Sequence, residues 1–215
     1  MIISRGRRYV FVHIPKTGGT ALAAALETRA LADDILIGDT PKARRRRGRL
    51  VGAQVAGRLW KHSTLADVIG LVSPQEAQAF FVFTLVRNPW DRMVSYYHWL
   101  RDQRFAHPQV ALARGADFSG FLNAPATQAA IGGAPYASYV SVPGLGACCN
   151  AFLRLEHLAE DAAPLEAHLG FALPPLPRVN ASDRLPDWRG YYSDADAELV
   201  GRLCAADVAR FGYRF

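Results

Sequence analysis

A short segment near the start of the chain, PKTGGT, combines a lysine, two threonines and two glycines in a spacing suited to an anion. Gly18 and Gly19 allow the main chain to come close to a phosphate-like group. Lys16 supplies a mobile positive charge, and the hydroxyls of Thr17 and Thr20 are further donors. The pattern predicts an anion-binding loop. The alternative is an ordinary turn that contains an incidental lysine.

The flanking segments predict how this loop is held. Tyr9–Ile14 is a β-branched and aromatic run, which predicts a buried strand, and Ala21–Ala32 is rich in alanine and leucine, which favours a helix. A strand, a glycine loop and a helix together present free N–H groups and a positive helix end to an anion. The loop differs from the common nucleoside-triphosphate P-loop, in which the lysine follows the glycines.

A second strand is predicted over Phe80–Val86, FFVFTLV, which is apolar on both faces and therefore suits the centre of a parallel sheet. This strand ends at Arg87, so we expect Arg87 and Lys16 at the same edge of the sheet, where ligands of α/β proteins bind. The corresponding strand of a kinase or nucleoside triphosphatase typically ends in an aspartate that helps to hold Mg²⁺. The arginine instead predicts a ligand with two separated anionic groups and no need of a metal.

The helix predicted from about Trp90 to Arg101 carries a possible partner for Arg87. Ser95 follows Arg87 by eight residues across a strand-to-helix turn, so a guanidinium and a hydroxyl can converge on one phosphate. The alternative is that Arg92 pairs with Asp91 on the surface and that Ser95 only packs.

The remaining pattern alternates strands with helices and predicts an α/β fold, a three-layer P-loop-like domain with a central, mainly parallel sheet flanked by helices. Further strands are predicted at Ile35–Ile37 and Asn150–Leu155, and further helices at Leu65–Val72, Pro74–Ala79, Asp117–Leu122, His157–Leu169 and Ser193–Phe211. Residues 1–215 are expected to form a single domain. The segment from about 104 to 146 is weakly patterned and is predicted to be an irregular, lid-like segment.

A block of positive charge occupies Pro41–Arg49, where six of nine residues are lysine or arginine. Such a block repels itself and predicts a solvated, mobile basic loop at 41–49. The alternative is a grip for an anionic substrate, in which the cluster Arg44–Arg47 would take part.

Composition limits the class of protein. The chain has 215 residues, of which 50% are hydrophobic, yet it has no run of 18 apolar residues, so no membrane span is predicted. The net charge of +6 comes without a nucleic-acid-binding motif and fits a small polyanionic cofactor or an acidic substrate. The cysteines, Cys148, Cys149 and Cys204, lack disulfide or metal spacing, which predicts reduced thiols in a cytoplasmic protein.

Together the two anion-binding stretches resemble sulfotransferases that use 3′-phosphoadenosine 5′-phosphosulfate (PAPS). The likeness is to the bacterial family related to the heparan and dermatan sulfate 2-O-sulfotransferases. HIPKTGGT is similar to that family's 5′-phosphosulfate loop, and FVFTLVRNPWDRMVSYYHWLR to its 3′-phosphate strand and helix. Weaker similarities are WKHSTLADV, FLRLEHL and the tail that begins VNASDRLPDW. The common bacterial loop has alanine where this chain has Gly18.

The resemblance implies a role for each site residue. The 5′-phosphosulfate would be bound by Lys16, Thr17, Gly18, Gly19 and Thr20, and the 3′-phosphate by Arg87 and Ser95. Lys16 would also be catalytic, because it stabilises charge on the departing phosphate oxygen. Among six histidines, His62 in WKHST is the best candidate for the general base, and the family has a base in this region; a histidine that merely begins a helix is the alternative, and His13 is the next candidate.

The resemblance also implies the reaction and the partners. PAPS would donate a sulfuryl group to an acceptor hydroxyl and leave 3′-phosphoadenosine 5′-phosphate (PAP), with no metal required. The family resemblance favours a carbohydrate hydroxyl as the acceptor. The acceptor would be a small molecule or a glycan, with no nucleic acid involved. Two alternatives remain open: an ATP-dependent kinase-like phosphotransferase and a non-catalytic nucleotide or glycan binder.

Overall fold

A computed structural model of the protein describes residues 1–177 and 184–215, with strands and helices alternating along most of the chain. The strands are β1 (Ile2–Ser4), β2 (Tyr9–Val12), β3 (Ile35–Leu36), β4 (Phe81–Val86), β5 (Ser141–Val142), β6 (Gly146–Ala147) and β7 (Ala151–Arg154). The α-helices are α1 (Gly19–Glu27), α2 (Pro41–Arg46), α3 (Pro74–Ala79), α4 (Pro89–Asp102), α5 (Pro108–Gly115), α6 (Phe118–Asn123), α7 (Pro125–Gly132), α8 (Tyr136–Tyr139), α9 (Leu158–Asp161), α10 (Ala163–Leu169), α11 (Asp194–Leu203) and α12 (Ala205–Phe211). Short 3-10 helices cover Arg47–Leu50, Leu155–His157 and Trp188–Tyr191.

The contacts divide the chain into two compact units, whereas the sequence predicts a single domain. The first unit comprises Met1–Val86 and Tyr136–Val179, and the second comprises Arg87–Pro135 and Asn180–Phe215. The first residues of the tail motif, 179–183, lie outside the described residues.

The first unit is built on a five-stranded sheet in the order β3-β1-β2-β4-β7. Strands β2, β4 and β7 are parallel, with Phe11 opposite Phe83 and Phe83 opposite Ala151. Strand β1, which the sequence analysis did not predict, pairs antiparallel with both β2 and β3. The carboxyl ends of β2, β4 and β7 therefore meet at one edge, as the parallel pattern predicts.

Both faces of this sheet are buried, as expected of strands whose side chains are apolar on both faces. One face presents Tyr9, Phe11 and Phe83 to apolar side chains of α1 and α10 such as Leu22 and Leu165. The other face packs against a second set of buried side chains, which comprises Leu65, Val68, Val72, Ala77, Val140 and Val142. Helices on one side, and a mixture of turns and short elements on the other, complete three layers around the sheet.

The basic segment is ordered, unlike the predicted loop at 41–49. Thr40 caps α2 by accepting a hydrogen bond from the amide of Ala43 at 3.1 Å, and Pro41 occupies the first turn. The guanidinium of Arg46 donates to the carbonyls of Leu31 and Asp34 at 2.8 and 3.2 Å.

Two other cations of the basic block also donate to backbone carbonyls, as Arg46 does. The Lys42 ammonium donates to the carbonyl of Glu27, and the Arg49 guanidinium donates to that of Ala32. These carbonyls belong to the end of α1 and the turn after it, where cations are favourable. Half of the block therefore has a structural role.

Three further segments also differ from their predictions. Residues 65–72, predicted to be a helix, form turns, because their backbone pairs with residues 54–57: the amide of Ala56 donates to the carbonyl of Ile69 at 2.9 Å. Residues 104–146, predicted to be irregular, contain α5 to α8 and the β5–β6 hairpin. The helix predicted at 193–211 is interrupted at Cys204 and forms α11 and α12.

The second unit is organised around α4. Its inward side chains, among them Trp90, Val94 and Tyr97, pack with Phe121 of α6 and Val200 of α11. The indole N–H of Trp90 donates to the carbonyl of Ala197 at 2.8 Å. Arg87 lies two residues before the start of α4, so the packing of α4 fixes the backbone position of Arg87.

Candidate active site

The glycine loop lies between β2 and α1, as predicted, and its backbone is under strain. Lys16 has φ of 66° and Gly18 has φ of 86°, both in the left-handed region. A left-handed lysine costs about 1–3 kcal/mol, a cost typically found at functional sites. Gly18 also forms the N-cap of α1, so the amides that follow it stand at the positive end of a nine-residue helix.

Close packing around Gly18 and Gly19 leaves too little space for a side chain at either position. A Cβ on Gly19 would lie 2.2 Å from Cδ2 of His13, and a Cβ on Gly18 would lie 2.9 Å from Cδ1 of Leu155. Leu155 directly follows β7, so the loop contacts the ends of two parallel strands. His13 is thereby placed beneath the first turn of α1.

Thr17 stabilises the conformation of the loop. Thr17 is fully buried, and its hydroxyl donates to the carbonyl of Ile14 at 2.9 Å. That hydrogen bond shapes the loop, whereas the sequence analysis expected the hydroxyl to be a donor to the ligand. Thr20 and Lys16 are half-buried.

His62 lies next to His13 in the first unit. Its Nδ1 is 2.9 Å from the carbonyl oxygen of His13, and the two imidazole rings meet edge to face with centroids 4.6 Å apart. Because a carbonyl can only accept a hydrogen bond, Nδ1 carries the proton and Nε2 carries the lone pair. This is the tautomer that a general base requires.

Desolvation keeps the buried His13 and the partly buried His62 neutral. It lowers the pKa of His62 to about 4 and the pKa of His13 well below its ordinary value. His62 is thus unprotonated at neutral pH, although its low pKa makes it a weaker base than an exposed histidine. The structure supports the helix-entry alternative less well, because the residues after His62 form turns.

The predicted 3′-phosphate residues lie in the second unit. Arg87 donates from Nε to Oδ2 of Asp91 at 2.7 Å, and Oδ1 of the same carboxylate accepts from Nη1 of Arg184, also at 2.7 Å. All three side chains are largely buried. Ser95 is on α4 and is 8% exposed. Asp91 thus forms ion pairs with Arg87 and Arg184. The alternative interpretation instead paired Asp91 with Arg92 on the surface.

Arg184 lies beside the predicted 3′-phosphate residues but is not among the residues that the sequence predicts for the site. It stands in the tail motif, but nothing in its local pattern separates it from the other arginines. Its partnership with Arg87 through Asp91 is visible only in the folded chain, because 97 residues separate the two arginines in sequence. A bidentate or bridged carboxylate fixes the planar guanidinium groups in orientation.

Comparisons with known proteins identify the family and the fold. The model of a family described as "Sulfotransferase family" matches residues 1–132. No curated protein matches the sequence. Among solved structures, the chain is similar to mouse sulfotransferase SULT7A1 complexed with PAP, with a TM-score of 0.57 and 16% identity over 97% of this chain and 88% of that one.

The family match covers more than half of the chain, and it includes the glycine loop, His62, Arg87 and Ser95. The structural likeness extends over nearly the whole chain and confirms the predicted α/β fold with its mostly parallel sheet flanked by helices. The prediction of a sulfotransferase is confirmed: the chain belongs to the sulfotransferase family.

Proposed function

We propose that this sulfotransferase transfers the sulfuryl group of PAPS to an acceptor hydroxyl, with Lys16 and His62 as its catalytic residues. The observation that carries the proposal is the contact between the anion loop and the histidine pair. Gly19 packs on the His13 ring, and His13 holds His62 in the base tautomer. A group bound at the loop and a base near it are what in-line transfer needs.

The loop is assigned to the 5′-phosphosulfate. Lys16 and the amides of Gly18, Gly19 and Thr20 would neutralise the negative charge that grows on the 5′-phosphate oxygen as the sulfur–oxygen bond breaks. Thr17 would contribute by shaping the loop and through its amide. PAPS itself supplies an activated sulfuryl group, so the protein has to align and neutralise charge rather than form a covalent intermediate.

The base is assigned to His62. Its Nε2 would take the proton of the acceptor hydroxyl as the new sulfur–oxygen bond forms, while Nδ1–H remains bonded to the carbonyl of His13. The 3′-phosphate is assigned to Arg87 and Ser95, with Asp91 and Arg184 orienting the Arg87 guanidinium.

The finer features are proposals from the sequence resemblance and, for the location, from the cysteine pattern. They are a carbohydrate hydroxyl as acceptor, a relationship to the heparan and dermatan sulfate 2-O-sulfotransferases, and a cytoplasmic location. None of the described helices is long and apolar enough to cross a membrane.

Thermal denaturation with three nucleotides tests the donor assignment. PAP should raise the melting temperature much more than adenosine 5′-phosphate, because only PAP carries the 3′-phosphate that Arg87 and Ser95 are assigned to bind. The kinase-like alternative predicts the opposite order, with ATP and Mg²⁺ stabilising the protein at least as well as PAP. PAP binding without sulfuryl transfer to any acceptor of a labelled-sulfate screen would favour the non-catalytic binder.

A further inference from the structure

A cleft of about 300 Å³ opens in the first unit between β3, α2 and the segment that leads to His62. Its walls are Leu36, Ile37, Gly38, Asp39, Ala43, Arg47, Leu50, Leu59, Trp60 and Lys61. Most of this lining is apolar, and the indole of Trp60 is 39% exposed. A cleft of this size and lining suits one ring-sized group of a small ligand.

The polar part of the cleft is a carboxylate between cations. Oδ2 of Asp39 lies 2.8 Å from Nζ of Lys61, and Oδ1 lies 3.6 Å from Nη2 of Arg47. The hydrogen bond from Lys61, followed by the positive charges of Arg44 and Arg47, lowers the pKa of Asp39. Two cations of the lining therefore contact a single carboxylate, which leaves this wall with a net positive charge.

The cleft connects to the proposed catalytic groups through side-chain contacts. The ring of Trp60 meets that of His62 edge to face, with centroids 5.1 Å apart, and His62 in turn meets His13 at 4.6 Å. His13 packs beneath Gly19 of the anion loop. In this series of contacts the base stands between the loop at one end and the cleft at the other.

We propose that this cleft is the acceptor subsite, and that it selects an acceptor in which the group that carries the reacting hydroxyl is attached to an apolar ring bearing one anionic group. The ring would pack on Trp60 and Leu50, and the anion would bind Arg47 and Lys61 in competition with Asp39. The proposal rests on the proposed function, because it depends on His62 as the base.

This subsite uses less of the basic block than a grip by all four arginines of Arg44–Arg47. Arg46 is bonded to carbonyls of the turn after α1 and serves the fold. Arg45 is exposed, and its side chain forms no hydrogen bond or ion pair in the part of the chain that the structure describes. Arg47 lines the cleft, so Arg47 and Arg45 make a matched pair of equal charge and different position.

Calorimetry with two probes of the same shape tests the proposal. The probes are 4-carboxyphenyl β-D-glucoside and its neutral amide, 4-carbamoylphenyl β-D-glucoside, titrated into the full chain saturated with PAP. The anionic probe should bind about three- to tenfold more tightly than the amide. The variant R47Q should abolish this preference, whereas R45Q should retain it.

A variant of opposite sign completes the test. D39N removes the competing carboxylate, so it should strengthen binding of the anionic probe by a similar factor and leave the amide unchanged. PAP affinity should be the same in all variants, which also shows that they are folded. Equal preference in R47Q and R45Q, or no binding of either probe to a wild-type chain that binds PAP, would overturn the subsite. Failure to bind PAP would instead overturn the proposed function.

Discussion

At the scale of single residues, the proposed base is His62, whose Nδ1 donates to the carbonyl of His13. The substitution H62N should lower turnover by about 10²–10⁴-fold, the usual contribution of a general base, and leave PAP affinity nearly unchanged. Stopped-time assays with labelled PAPS and calorimetry with PAP measure the two quantities. H157N is the control, because His157 is exposed and pairs only with exposed Glu160 in the described contacts. A fully active H62N enzyme would transfer the role of base to His13.

Arg87 allows a second prediction at this scale. R87A should weaken PAP binding by about ten- to a hundredfold, since it removes a charge-assisted hydrogen bond of about 1.5–3 kcal/mol. D91N should weaken PAP by a smaller factor, because Arg87 and Arg184 keep their charges but lose the carboxylate that orients them. Calorimetry distinguishes the two variants. PAP affinity unaffected by R87A would remove Arg87 from the proposed 3′-phosphate site.

At the scale of elements, the glycine loop is limited by what lies beneath it. G19A should reduce both PAP affinity and melting temperature more than G18A does. The Cβ of Ala at position 19 would lie 2.2 Å from the ring of buried His13, which has His62 on its other side. The Cβ at position 18 would meet only the flexible ends of Leu155 and Leu85, at the added cost of a left-handed alanine. The reverse order of severity would contradict the packing described for His13.

Helix α2 gives a prediction that separates folding from substrate binding. R46A should lower the free energy of unfolding by about 1–2 kcal/mol, because it leaves carbonyls of Leu31 and Asp34 without their donor. R45A should change it by less than about 0.5 kcal/mol, as is usual for an exposed side chain. Urea denaturation of both variants provides the comparison. Equal stability of R46A and R45A would instead support the solvated loop that the charge of this block predicts.

Elements were predictable where local pattern and tertiary packing agree. Strands β2 and β4 and helix α4 follow from apolar runs and turn residues that their burial reinforces. Residues 65–72 have apolar side chains at Leu65, Val68 and Val72, a helical spacing, yet they form turns. Gly70 has φ of 111° and approaches the carbonyl of Gln54 closely, so pairing with a distant segment overrides the local pattern.

The candidate site divides in the same way. Lys16, the glycines and Arg87 are local signals at strand ends, and the sequence is sufficient to find them. Arg184 and the cleft beside Trp60 depend on contacts between residues far apart in the chain, so no spacing reveals them. The basic block is intermediate, because its charge is visible in the sequence but the carbonyls that order Arg46 are not.

At the scale of the whole molecule, two buried neutral histidines couple folding to pH. The folded pKa of His62 is about 4 and lies below its ordinary value of 6.5, so between these values the unfolded chain binds more protons than the folded one. Stability is therefore greatest above about pH 6.5 and falls as the pH falls toward 4. His13 has its pKa lowered in the same direction and adds to the loss.

The loss that belongs to His62 can be isolated by difference. Urea denaturation of the wild type and of H62N between pH 7.5 and 4.5 should give curves that converge as the pH falls, because only the wild type pays to keep this imidazole neutral. The wild type should lose up to about 2.5 kcal/mol more than H62N by pH 4.5, at about 1.4 kcal/mol per pH unit. H157N, which replaces an exposed histidine, is the control for the substitution itself. Parallel curves for the wild type and H62N would mean that His62 titrates normally, and they would contradict the desolvation that keeps its imidazole neutral at pH 7.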